Sequence, residues 1–475
     1  MGDAAVSTSG AMQRFGRYPE YRDSGVEWLG EIPAHWEVGR LKKTISECRN
    51  GVWGEDPDGT NDVACIRVAD FDRDTFTVNP SSLTLRHVDP RALSTHRLGQ
   101  GNLLLEKSGG GERQPVGAVV IFADDLPAVC SNFIARMPVN DGHNPVFLVY
   151  LHASLYSSRI NVRSIKQSIG IQNLDSESYL NELVGLPPFN EQHEIAEFLH
   201  RETARGDALV AKQKELIRLL QEKRTALISQ AVTKGLDPDV AMKDSGVEWM
   251  GEIPAHWEVK RTKFAATLRS GHTPSRQKPE YWKGCTIPWF GLADVWQIRD
   301  GHVEYVRETA EKISEIGLAN SSARLLPEGT VILSRTASVG FSAILGVDMA
   351  TTQDFVNWVC GPSLRPEYLL CVFRAMSPEF RRLTMGSTHQ TIYMHDVASF
   401  STPVPPITEQ DQIVAFVRRE TAKIDAMIAK VIDAIAHLNE YRTALISAAV
   451  TGKIDVRHSL EPTTTPNPTT SHPTP

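Results

Sequence analysis

Two clusters in this sequence contain residue types that enzymes use for chemistry. The glycine-rich stretch Ser108-Gly109-Gly110-Gly111 would suit a phosphate-binding loop, but it lacks the G-x-x-x-x-G-K-[ST] spacing that places a lysine and a hydroxyl on phosphates. Glu106 and Lys107, beside a predicted strand, would suit the carboxylate and cation of a metal-dependent nuclease. Neither cluster is complete, and the sequence contains no nucleophile elbow and no H-E-x-x-H motif.

The chain repeats itself, and the repeat decides how these clusters are interpreted. Residues 22–42 return as residues 243–263 with 17 of 21 positions identical, at a shift of 221. Residues 187–237 return as residues 405–455 with 27 of 51 positions identical, at a shift of 218. The similar shifts indicate that one ancestral unit of about 220 residues was duplicated. We call residues 22–42 and 243–263 the opening motifs.

A duplicated enzyme should keep its catalytic residues in both copies, or in one copy that is intact. The pair that matches Glu106-Lys107 is Ser334-Arg335, so the cation persists and the carboxylate does not. Leu186-Pro187-Pro188-Phe189 resembles the N-P-P-[YF] loop of amino-methyltransferases, but a leucine stands where that loop needs asparagine, and the second copy reads Val404-Pro405-Pro406-Ile407. We therefore expect no catalytic residues in this chain and predict a recognition or scaffold protein.

The opening motifs contain Glu31 and His35, which are four residues apart, as in helical metal sites. Pro33 disfavours the helix that would point both side chains at one metal, so we expect no metal site. The motifs are rich in tryptophan, which favours an aromatic clasp that holds each domain to a long helix. The tryptophans are Trp28, Trp36, Trp249 and Trp257.

The repeated segments 187–237 and 405–455 are predicted to be long helices. Asn190 and Thr408 are good N-cap residues, and no proline follows for over 40 residues, so each helix should span roughly 60 Å. Apolar residues recur at heptad spacing, which predicts that the helices pair as an antiparallel coiled coil. The alternative is that each helix packs on its own domain. The stripe includes Leu209, Leu216, Leu220, Leu227, Ile424, Val431, Ile435 and Leu438.

The regions between the repeated ends contain short apolar or β-branched runs, which predicts mixed α/β domains. The expected strands are residues 64–68, 102–105, 118–122, 330–333 and 355–359. Residues 101–122 align with 329–346, and a shared Ala-Asp pair aligns Asp70 with Asp294. The predicted fold class is α+β, with two mixed α/β domains separated by an antiparallel coiled coil of two long helices and an internal pseudo-two-fold repeat. The predicted segments are a leader (1–21), a first domain (22–186), a first helix (187–237), a second domain (238–404), a second helix (405–455) and a tail (456–475).

Composition sets the broad class. With 475 residues, 41% hydrophobic and 23% charged, the chain matches a soluble protein of roughly three domains. It has no apolar run near 20 residues and does not begin like a signal peptide, so we expect a cytoplasmic protein. Six widely spaced cysteines predict buried free thiols. The net charge of -7 gives no global signature of nucleic-acid binding, and we expect disorder in the leader and in the Pro/Thr-rich tail.

The order of these motifs resembles that of the specificity subunits of type I restriction-modification enzymes. The resemblance is carried by I-P-A-H-W-E-V, the strand and turn G-x-[LV]-[LI]-L-x-[KR], and the helix start P-P-x-x-E-Q, each present twice and in order across residues 22–455. It implies that each domain reads one half of a bipartite DNA sequence and that the paired helices fix the distance between the halves. The leader before Arg22 and the tail depart from the family pattern.

The resemblance also implies partners and cofactors. The expected partners are double-stranded DNA, two modification subunits that methylate adenine, and two motor-nuclease restriction subunits. S-adenosylmethionine, ATP and Mg²⁺ would bind those partner subunits, and this chain would hold no cofactor. The alternative function is a coiled-coil adaptor whose globular domains bind other proteins.

Side chains that could contact DNA are the basic, amide and hydroxyl groups beside strand ends and glycines, because these groups bind phosphates or base edges. In the first domain they are Arg49, Asn50, Trp53, Lys107, Ser108, Arg113, Gln114, Gln172 and Asn173. In the second domain they are Arg269, His272, Thr273, Arg276, Arg335, Thr336, Ser338, Thr388, His389 and Gln390.

Overall fold

The computed structural model describes residues 15–60, 62–168, 171–384 and 391–457. The chain forms two compact units, and each contains parts of both long helices. The first unit comprises residues 1–213 and 433–475, and the second comprises residues 214–432. The long helices are α4 (Phe189–Lys234) and α10 (Ile407–Val450).

The first unit contains sixteen of the strands that the structure describes and three shorter helices. The strands are β1 (Tyr21–Asp23), β2 (Glu31–Pro33), β3 (Glu37–Arg40), β4 (Arg49–Asn50), β5 (Asp62–Ile66), β6 (Phe71–Asp72), β7 (Thr77–Val78), β8 (Thr84–His87), β9 (Leu103–Glu106), β10 (Ser108–Gly109), β11 (Val119–Ile121), β12 (Ala128–Cys130), β13 (Ile134–Met137), β14 (Ile165–Ser168), β15 (Ile171–Leu174) and β16 (Leu183–Leu186). The helices are α1 (Pro90–His96), α2 (Pro145–Ser157) and α3 (Ser176–Leu180).

The second unit has fewer strands and follows a similar plan. Its strands are β17 (Met242–Asp244), β18 (Glu252–Pro254), β19 (Glu258–Arg261), β20 (Ala266–Ser270), β21 (Ile287–Phe290), β22 (Tyr305–Val306), β23 (Glu311–Ile313), β24 (Val331–Ser334), β25 (Ser342–Leu345), β26 (Ala350–Thr351), β27 (Phe355–Cys360) and β28 (Ser401–Val404). Its shorter helices are α5 (Thr262–Ala265), α6 (Glu315–Ala319), α7 (Pro366–Ala375), α8 (Ser377–Thr384) and α9 (Met394–Ser399).

The main sheets of the two units have corresponding strand orders. The first unit has a six-stranded sheet in the order β4-β13-β9-β11-β7-β6, and the second has a five-stranded sheet in the order β20-β27-β24-β25-β22. In each sheet the central strand, β9 or β24, is antiparallel to both neighbours. The next pairs along each sheet, β11–β7 and β25–β22, are parallel. All five strands expected from the sequence are present, with ends within two residues of the predicted bounds.

Buried apolar residues explain why α2 packs on its sheet. The β9 residues Leu103 and Leu105 are fully buried, as are Phe147 and Leu151 of α2, and all four belong to one core. The second unit repeats this arrangement with α7, whose apolar residues pack against β24 and β25. The opposite face of each sheet packs into a further core, which contains Leu104 in the first unit and Ile332 in the second. Both faces are therefore covered, and the strand ends are held in fixed positions.

The long helices begin two residues earlier than the sequence predicted. The amide of Gln192 donates to the carbonyl of Pro188 at 3.0 Å, and the amide of Gln410 donates to that of Pro406 at 3.0 Å. These bonds make Pro188 and Pro406 the N-cap residues, so Asn190 lies inside the first helical turn. Thr408 is displaced in the same way, because α10 begins at Ile407.

A carboxylate in the first turn of each long helix joins the helix to an opening motif. Glu191 Oε1 accepts a hydrogen bond of 2.9 Å from Trp36 Nε1, and Oε2 lies 2.7 Å from His35 Nε2. Both Glu191 and Trp36 are buried. The predicted aromatic clasp is therefore held by polar contacts, because the Trp36 indole and the His35 imidazole both contact the Glu191 carboxylate.

The second copy repeats this carboxylate clasp. Glu409 Oε2 accepts a hydrogen bond of 2.8 Å from Trp257 Nε1, and Oε1 lies 2.8 Å from His256 Nε2. The following glutamine anchors the helix start, since Gln410 Nε2 donates to the carbonyl of Pro405 at 2.9 Å. Gln192 donates to the carbonyl of Pro187 in the same way. The duplicated E-Q and H-W residues are thus explained by contacts that link the repeated segments.

Each opening motif also meets the end of the other copy's helix. In the first unit, Lys453 Nζ donates to the carbonyls of Leu29 and Glu31 at 2.8 and 2.6 Å. In the second unit, Lys234 Nζ donates to the carbonyl of Glu252 at 2.6 Å. Each unit is consequently closed by a segment from the other repeat.

The long helices pair within each unit through ion pairs that the repeat relates. In the first unit, Arg442 Nε lies 3.4 Å from Asp207 Oδ1. In the second unit, Arg224 Nε lies 3.3 Å from Asp425 Oδ1. A shift of 218 converts Asp207 to Asp425 and Arg224 to Arg442, so each pair joins the aspartate of one copy to the arginine of the other.

The direction of pairing is visible inside the second unit. Arg224 meets Asp425, and further along α4 Lys234 lines the same cavity as Ile413, which precedes Asp425. The two helices therefore run in opposite directions in this unit.

Two residues of the predicted heptad stripe lie on the outside of α4, because Leu209 is 42% and Leu216 41% exposed. The covered side passes one residue later, through the partly covered Val210 and Ile217, which also belong to the predicted stripe, to the buried Leu220. A helix turns about 100° per residue, so an offset of one residue carries a side chain off the contact line. Of the other stripe residues, Ile424 is buried, and partial cover applies to Leu227, Val431, Ile435 and Leu438.

The prediction of a disordered leader is wrong for its last seven residues. Tyr18 is 3% exposed, and the Phe15 ring contacts the Phe198 ring edge-on at 5.2 Å. Gly16 forms an isolated bridge with Asp455, and Val456 is fully buried, so the predicted tail also begins inside the packed structure. These segments are ordered because each brings apolar side chains to the core. Residues 1–14 and 458–475 lie outside the described residues.

All six cysteines are free thiols, as the sequence predicted, but only Cys65, Cys130 and Cys371 are buried, and the other three are half-buried. Burial raises the pKa of Cys65 to about 11 and that of Cys130, Cys360 and Cys371 to about 12. These thiols therefore stay protonated and unreactive at neutral pH. Among the residues described, no helix is long and apolar enough to cross a membrane.

Replacing Glu191 with glutamine should destabilise the chain by about 1.5–3 kcal/mol, because hydrogen bonds to a charged group are worth about that much. The Glu409→Gln substitution should cost less, since the Glu409 side chain is 33% exposed and that of Glu191 is 7%. Urea unfolding followed by tryptophan fluorescence measures both. The matched control is Glu197→Gln, an exposed position on the same helix. Equal stability of Glu191→Gln and the control would contradict the role of the carboxylate.

His152 should make stability depend on pH. Its Nδ1 lies 2.7 Å from the Tyr179 hydroxyl, and burial lowers the pKa of His152 from 6.5 to about 4. The unfolded chain takes up this proton below pH 6.5 and the folded chain does not, so stability falls as the pH drops towards 4. The expected loss between pH 7 and pH 5 is about 2 kcal/mol. A His152→Phe variant should lack this component in parallel denaturation curves, and an unchanged pH dependence would refute the assignment.

Candidate nucleic-acid interface

In the first unit, a lysine predicted to contact DNA stands where the central strand β9 ends. The amide of Lys107 donates to the carbonyl of Phe133 at 2.8 Å, and its carbonyl accepts from the amide of Leu174 at 2.8 Å. The ammonium donates to Asn50 Oδ1 at 2.9 Å. The backbone of Lys107 is thus fixed on both sides, and its charged end lies on the surface beside an amide group.

The hairpin formed by β14 and β15 brings further predicted residues to the same edge. β10 pairs with β15, and Ser108 Oγ donates to Asn173 Oδ1 at 2.6 Å. Gln172 Oε1 accepts from the amide of Val116 at 3.3 Å. Asn50, Lys107, Ser108, Gln172 and Asn173 therefore form one polar surface, although the sequence separates them by up to 123 positions.

Two other predicted residues occupy the turn that follows this surface. Gly111 donates its amide to the carbonyl of Gln114 at 2.9 Å, and both Arg113 and Gln114 are exposed. Gly110 has φ +61, and a Cβ there would lie 2.8 Å from the amide nitrogen of Val116. The glycines of this stretch therefore allow a tight turn rather than a phosphate-binding loop.

The carboxylate beside Lys107 points inwards. Glu106 is 1% exposed, and its Oε2 accepts a hydrogen bond of 2.7 Å from Arg73 Nη2. Burial raises the pKa of Glu106, although the neighbouring Arg73 acts in the opposite direction. Glu106 is therefore buried and bound by an arginine, and does not face the surface as a catalytic carboxylate would. The matching residue in the second copy is Ser334.

Arg49 is placed on β4 at the edge of the same sheet. Its guanidinium pairs with Glu47 at 2.9 Å, and Glu47 also pairs with Arg136. The two arginines hold the pKa of Glu47 below its usual value, against the opposing effect of burial. Arg49 is thus oriented by a carboxylate that two cations share.

Exposed apolar side chains adjoin this polar surface. Trp53 is 38%, Phe133 50% and Ile171 52% exposed, and they line a cavity of about 440 Å³ together with Ser108 and Arg67. Sequence reasoning singled out Trp53 but missed Phe133, Ile171 and Arg67. The exposure of Phe133 and Ile171 follows from the pairing of β9 with β13 and of β10 with β15, which nothing in the local sequence indicates.

In the second unit, Arg335 stands at the position equivalent to Lys107. Its amide donates to the carbonyl of Asp354 at 2.9 Å, as that of Lys107 does to Phe133. Its guanidinium donates to the carbonyls of Gln353 and Ile392 at 3.1 and 3.3 Å. Arg335 therefore braces the surrounding loops as well as placing a positive charge at the strand end.

Hydroxyl groups surround Arg335. Thr336 forms a bridge with Thr391, and Ser338 donates its amide to the carbonyl of Thr336 at 2.6 Å. Thr273 Oγ1 donates to Gln353 Oε1 at 2.6 Å, which adds an exposed amide that the sequence did not single out.

The other predicted residues of the second unit are more dispersed. Arg276 lies over the Trp282 ring at 3.9 Å and pairs with Glu311, so its charge is partly satisfied within the unit. Arg269 is exposed on β20, and His272 donates its amide to the carbonyl of Thr351. Thr388, His389 and Gln390 lie outside the described residues.

One group of metal-ligand types occurs among the described residues. Ligand atoms of Asp58, Asp62 and His87 lie within 4.8 Å of one another. His87 Nδ1 is 3.1 Å from Asp58 Oδ1 at a partly exposed surface. Sequence reasoning missed this group because His87 lies 25 positions after Asp62 in the sequence.

Comparison with known proteins finds similarity to one family. Residues 254–436 match the family model described as the type I restriction modification DNA specificity domain. The putative MjaX specificity subunit of Methanocaldococcus jannaschii is 20% identical over 90% of this chain and 96% of its own length. The MjaIX subunit of that organism is 30% identical over 34% of this chain and 38% of its own length. The EcoKI subunit of Escherichia coli is 23% identical over 66% of each.

A solved chain has a similar fold. It comes from work on complex assembly and conformational transition of the type I R-M system, covers 88% of this chain and 98% of its own length, and has a TM-score of 0.60 at 18% identity. The chain is thus similar to type I restriction enzyme specificity subunits, which confirms the resemblance seen in its sequence motifs.

Replacing Lys107 with methionine should weaken binding to duplex DNA and reduce the salt dependence of that binding. Loss of one phosphate contact lowers the slope of log affinity against log salt concentration by about 0.9. Titrations of labelled duplex at several salt concentrations measure the slope. The control, Lys214→Met, changes an exposed lysine on α4. If both variants bind as the unchanged chain does, Lys107 does not face DNA.

Proposed function

We propose that this chain is the DNA-recognition subunit of a type I restriction-modification complex. The observation that carries the proposal is the paired strand-end cation. Lys107 and Arg335 follow equivalent central strands, and each has hydroxyl and amide groups beside it. Such groups bind phosphates and read base edges. Two equivalent surfaces in one chain suit two half-sites of one DNA target.

The divergence between the two surfaces supports a different sequence for each half-site. Lys107 is paired with Asn50, whereas Arg335 donates to backbone carbonyls. Phe133 in the first copy corresponds to Asp354 in the second, because both carbonyls accept the amide that follows the central strand. A phenylalanine and an aspartate at one position would present DNA with opposite chemistry.

The long helices would form one antiparallel coiled coil that fixes the spacing. Helices of 46 and 44 residues would be about 66–69 Å long at about 1.5 Å per residue. The exchanged pairs Asp207–Arg442 and Arg224–Asp425 support a pseudo-two-fold relation between the copies. Such a spacer would leave the bases between the half-sites unread.

Catalysis would come from partner subunits. We propose two modification subunits that hold S-adenosylmethionine and methylate adenine, and two restriction subunits that use ATP and Mg²⁺. The inward-facing Glu106 supports this division, since a carboxylate held by Arg73 is not available to a substrate. A protein-binding adaptor, the alternative function, would not need two equivalent cations at strand ends.

Sequencing that detects methylated adenine tests the proposal. A host expressing the chain with its modification subunits should gain adenine methylation at one bipartite motif, and a host expressing the modification subunits alone should not. Exchange of residues 266–400 for the equivalent segment of a relative should change one half of the motif and leave the other half unchanged. Methylation that is independent of this chain, or an exchange that leaves both halves unchanged, would contradict the proposal.

A further inference from the structure

Arg442 of the second long helix contacts the recognition domain of the first copy. Its side chain is 15% exposed, and its Nε lies 3.4 Å from Asp207 Oδ1. The same guanidinium donates to the carbonyl of Asp74 and lies over the Phe76 ring, 4.8 Å from its centroid. Arg442 thus joins both long helices to the loop between β6 and β7.

Arg224 of the first long helix does the same in the second unit. Its side chain is also 15% exposed, with Nε 3.3 Å from Asp425 Oδ1. The guanidinium donates to the carbonyl of Gly301 at 2.9 Å. His302 Nδ1 adds a contact of 3.1 Å to Asp425 Oδ2. Each arginine therefore holds a loop of the domain that belongs to the other repeat.

Both loops contain a residue in the left-handed backbone region. Phe76 has φ +58 and Gly301 has φ +71. A phenylalanine adopts this conformation only when its surroundings hold it there. The Phe76 carbonyl accepts from the amide of Ile121 at 2.8 Å, and its ring packs edge-on against Tyr150. The arginine therefore closes over a loop whose shape is defined by contacts on every side.

In the first unit, a short path connects the arginine to the candidate DNA surface. Arg442 binds the carbonyl of Asp74, whose neighbour Arg73 donates to the buried Glu106. Glu106 is the last residue of β9, and Lys107 follows it directly. A shift of the loop would move Arg73, the carboxylate it holds, and the strand end that carries Lys107.

In the second unit, the path runs through the sheet. The loop that holds Gly301 leads into β22, which pairs with β25. β25 pairs in turn with β24, the strand that ends beside Arg335. In both units the helix arginine thus fixes the loop before the parallel strand, β7 or β22, of the sheet that carries the strand-end cation.

We propose that Arg442 and Arg224 are positioning residues for DNA recognition, each acting on the half-site that the other repeat's domain reads. An arginine suits this role because its planar group presents several donors at fixed angles to a carboxylate and a carbonyl. Arg442 would hold the first domain at its place along the helices, and Arg224 the second. This inference rests on the proposed function, because it concerns how firmly each half-site is held.

The test is an adenine-methylation profile of hosts that express the modification subunits with one variant of the full chain. Arg442→Ala should raise methylation at motifs with one base pair more or fewer between the half-sites at least tenfold. It should also relax the same half of the motif that Lys107→Met relaxes. Arg224→Ala should relax the opposite half. If Arg442→Ala folds poorly, Arg442→Lys replaces it in the test. The lysine keeps the charge but offers fewer fixed donors, so its methylation profile should lie between those of the unchanged chain and a chain that lacks the contact.

Matched controls are Arg218→Ala and Lys423→Ala, because these side chains pair with glutamates of their own helix. Both should keep the original motif and spacing. The inference fails if the arginine variants keep strict spacing at normal abundance, or if Arg442→Ala relaxes the half read by the second domain. A chain without substitutions that directs no bipartite methylation would instead refute the proposed function.

Discussion

One carboxylate at the start of each long helix is the contact on which each unit is organised. Glu191 and Glu409 accept from an indole and meet an imidazole of the opening motif in their own repeat. The Glu191 carboxylate lies where water is largely excluded, so the strength of its bonds depends on both partners being present. The helix axis and the start of the sheet domain are thereby fixed to each other. The positions of the loops that carry Lys107 and Arg335 therefore depend on this carboxylate contact.

The repeated segments made the long helices and the main strands predictable, because identical residues 218 or 221 positions apart mark the same structure twice. The contact line of the helices was harder to predict. Leu209 and Leu216 fit the apolar heptad spacing but are exposed. The covered line of the helix includes Gln213 and Arg224, which a search for apolar heptads does not select. Polar residues on a contact line are recognisable only when their partners across the interface are known.

The candidate site was predictable where strand ends gather side chains. Asn50, Lys107, Ser108 and Asn173 meet because β9, β10 and β15 end at one edge, and turn residues beside glycines indicated most of them. The exposure of Phe133 was not predictable, because it follows from strand pairing and not from its neighbours in the sequence. The inward direction of Glu106 likewise depends on Arg73, which lies 33 positions away.

The exchange of helix ends between the repeats has a consequence for the order of folding. The second unit is built from residues 214–432, an uninterrupted stretch, whereas the first needs residues 433–457 to complete its core. The bond from Lys453 to Leu29 spans 424 positions. On the ribosome, the second unit is therefore complete in sequence before the first, although the first begins to emerge earlier. Until the last helical turns of α10 arrive, the opening motif at Leu29 and Trp36 keeps an uncovered apolar surface that chaperones would recognise.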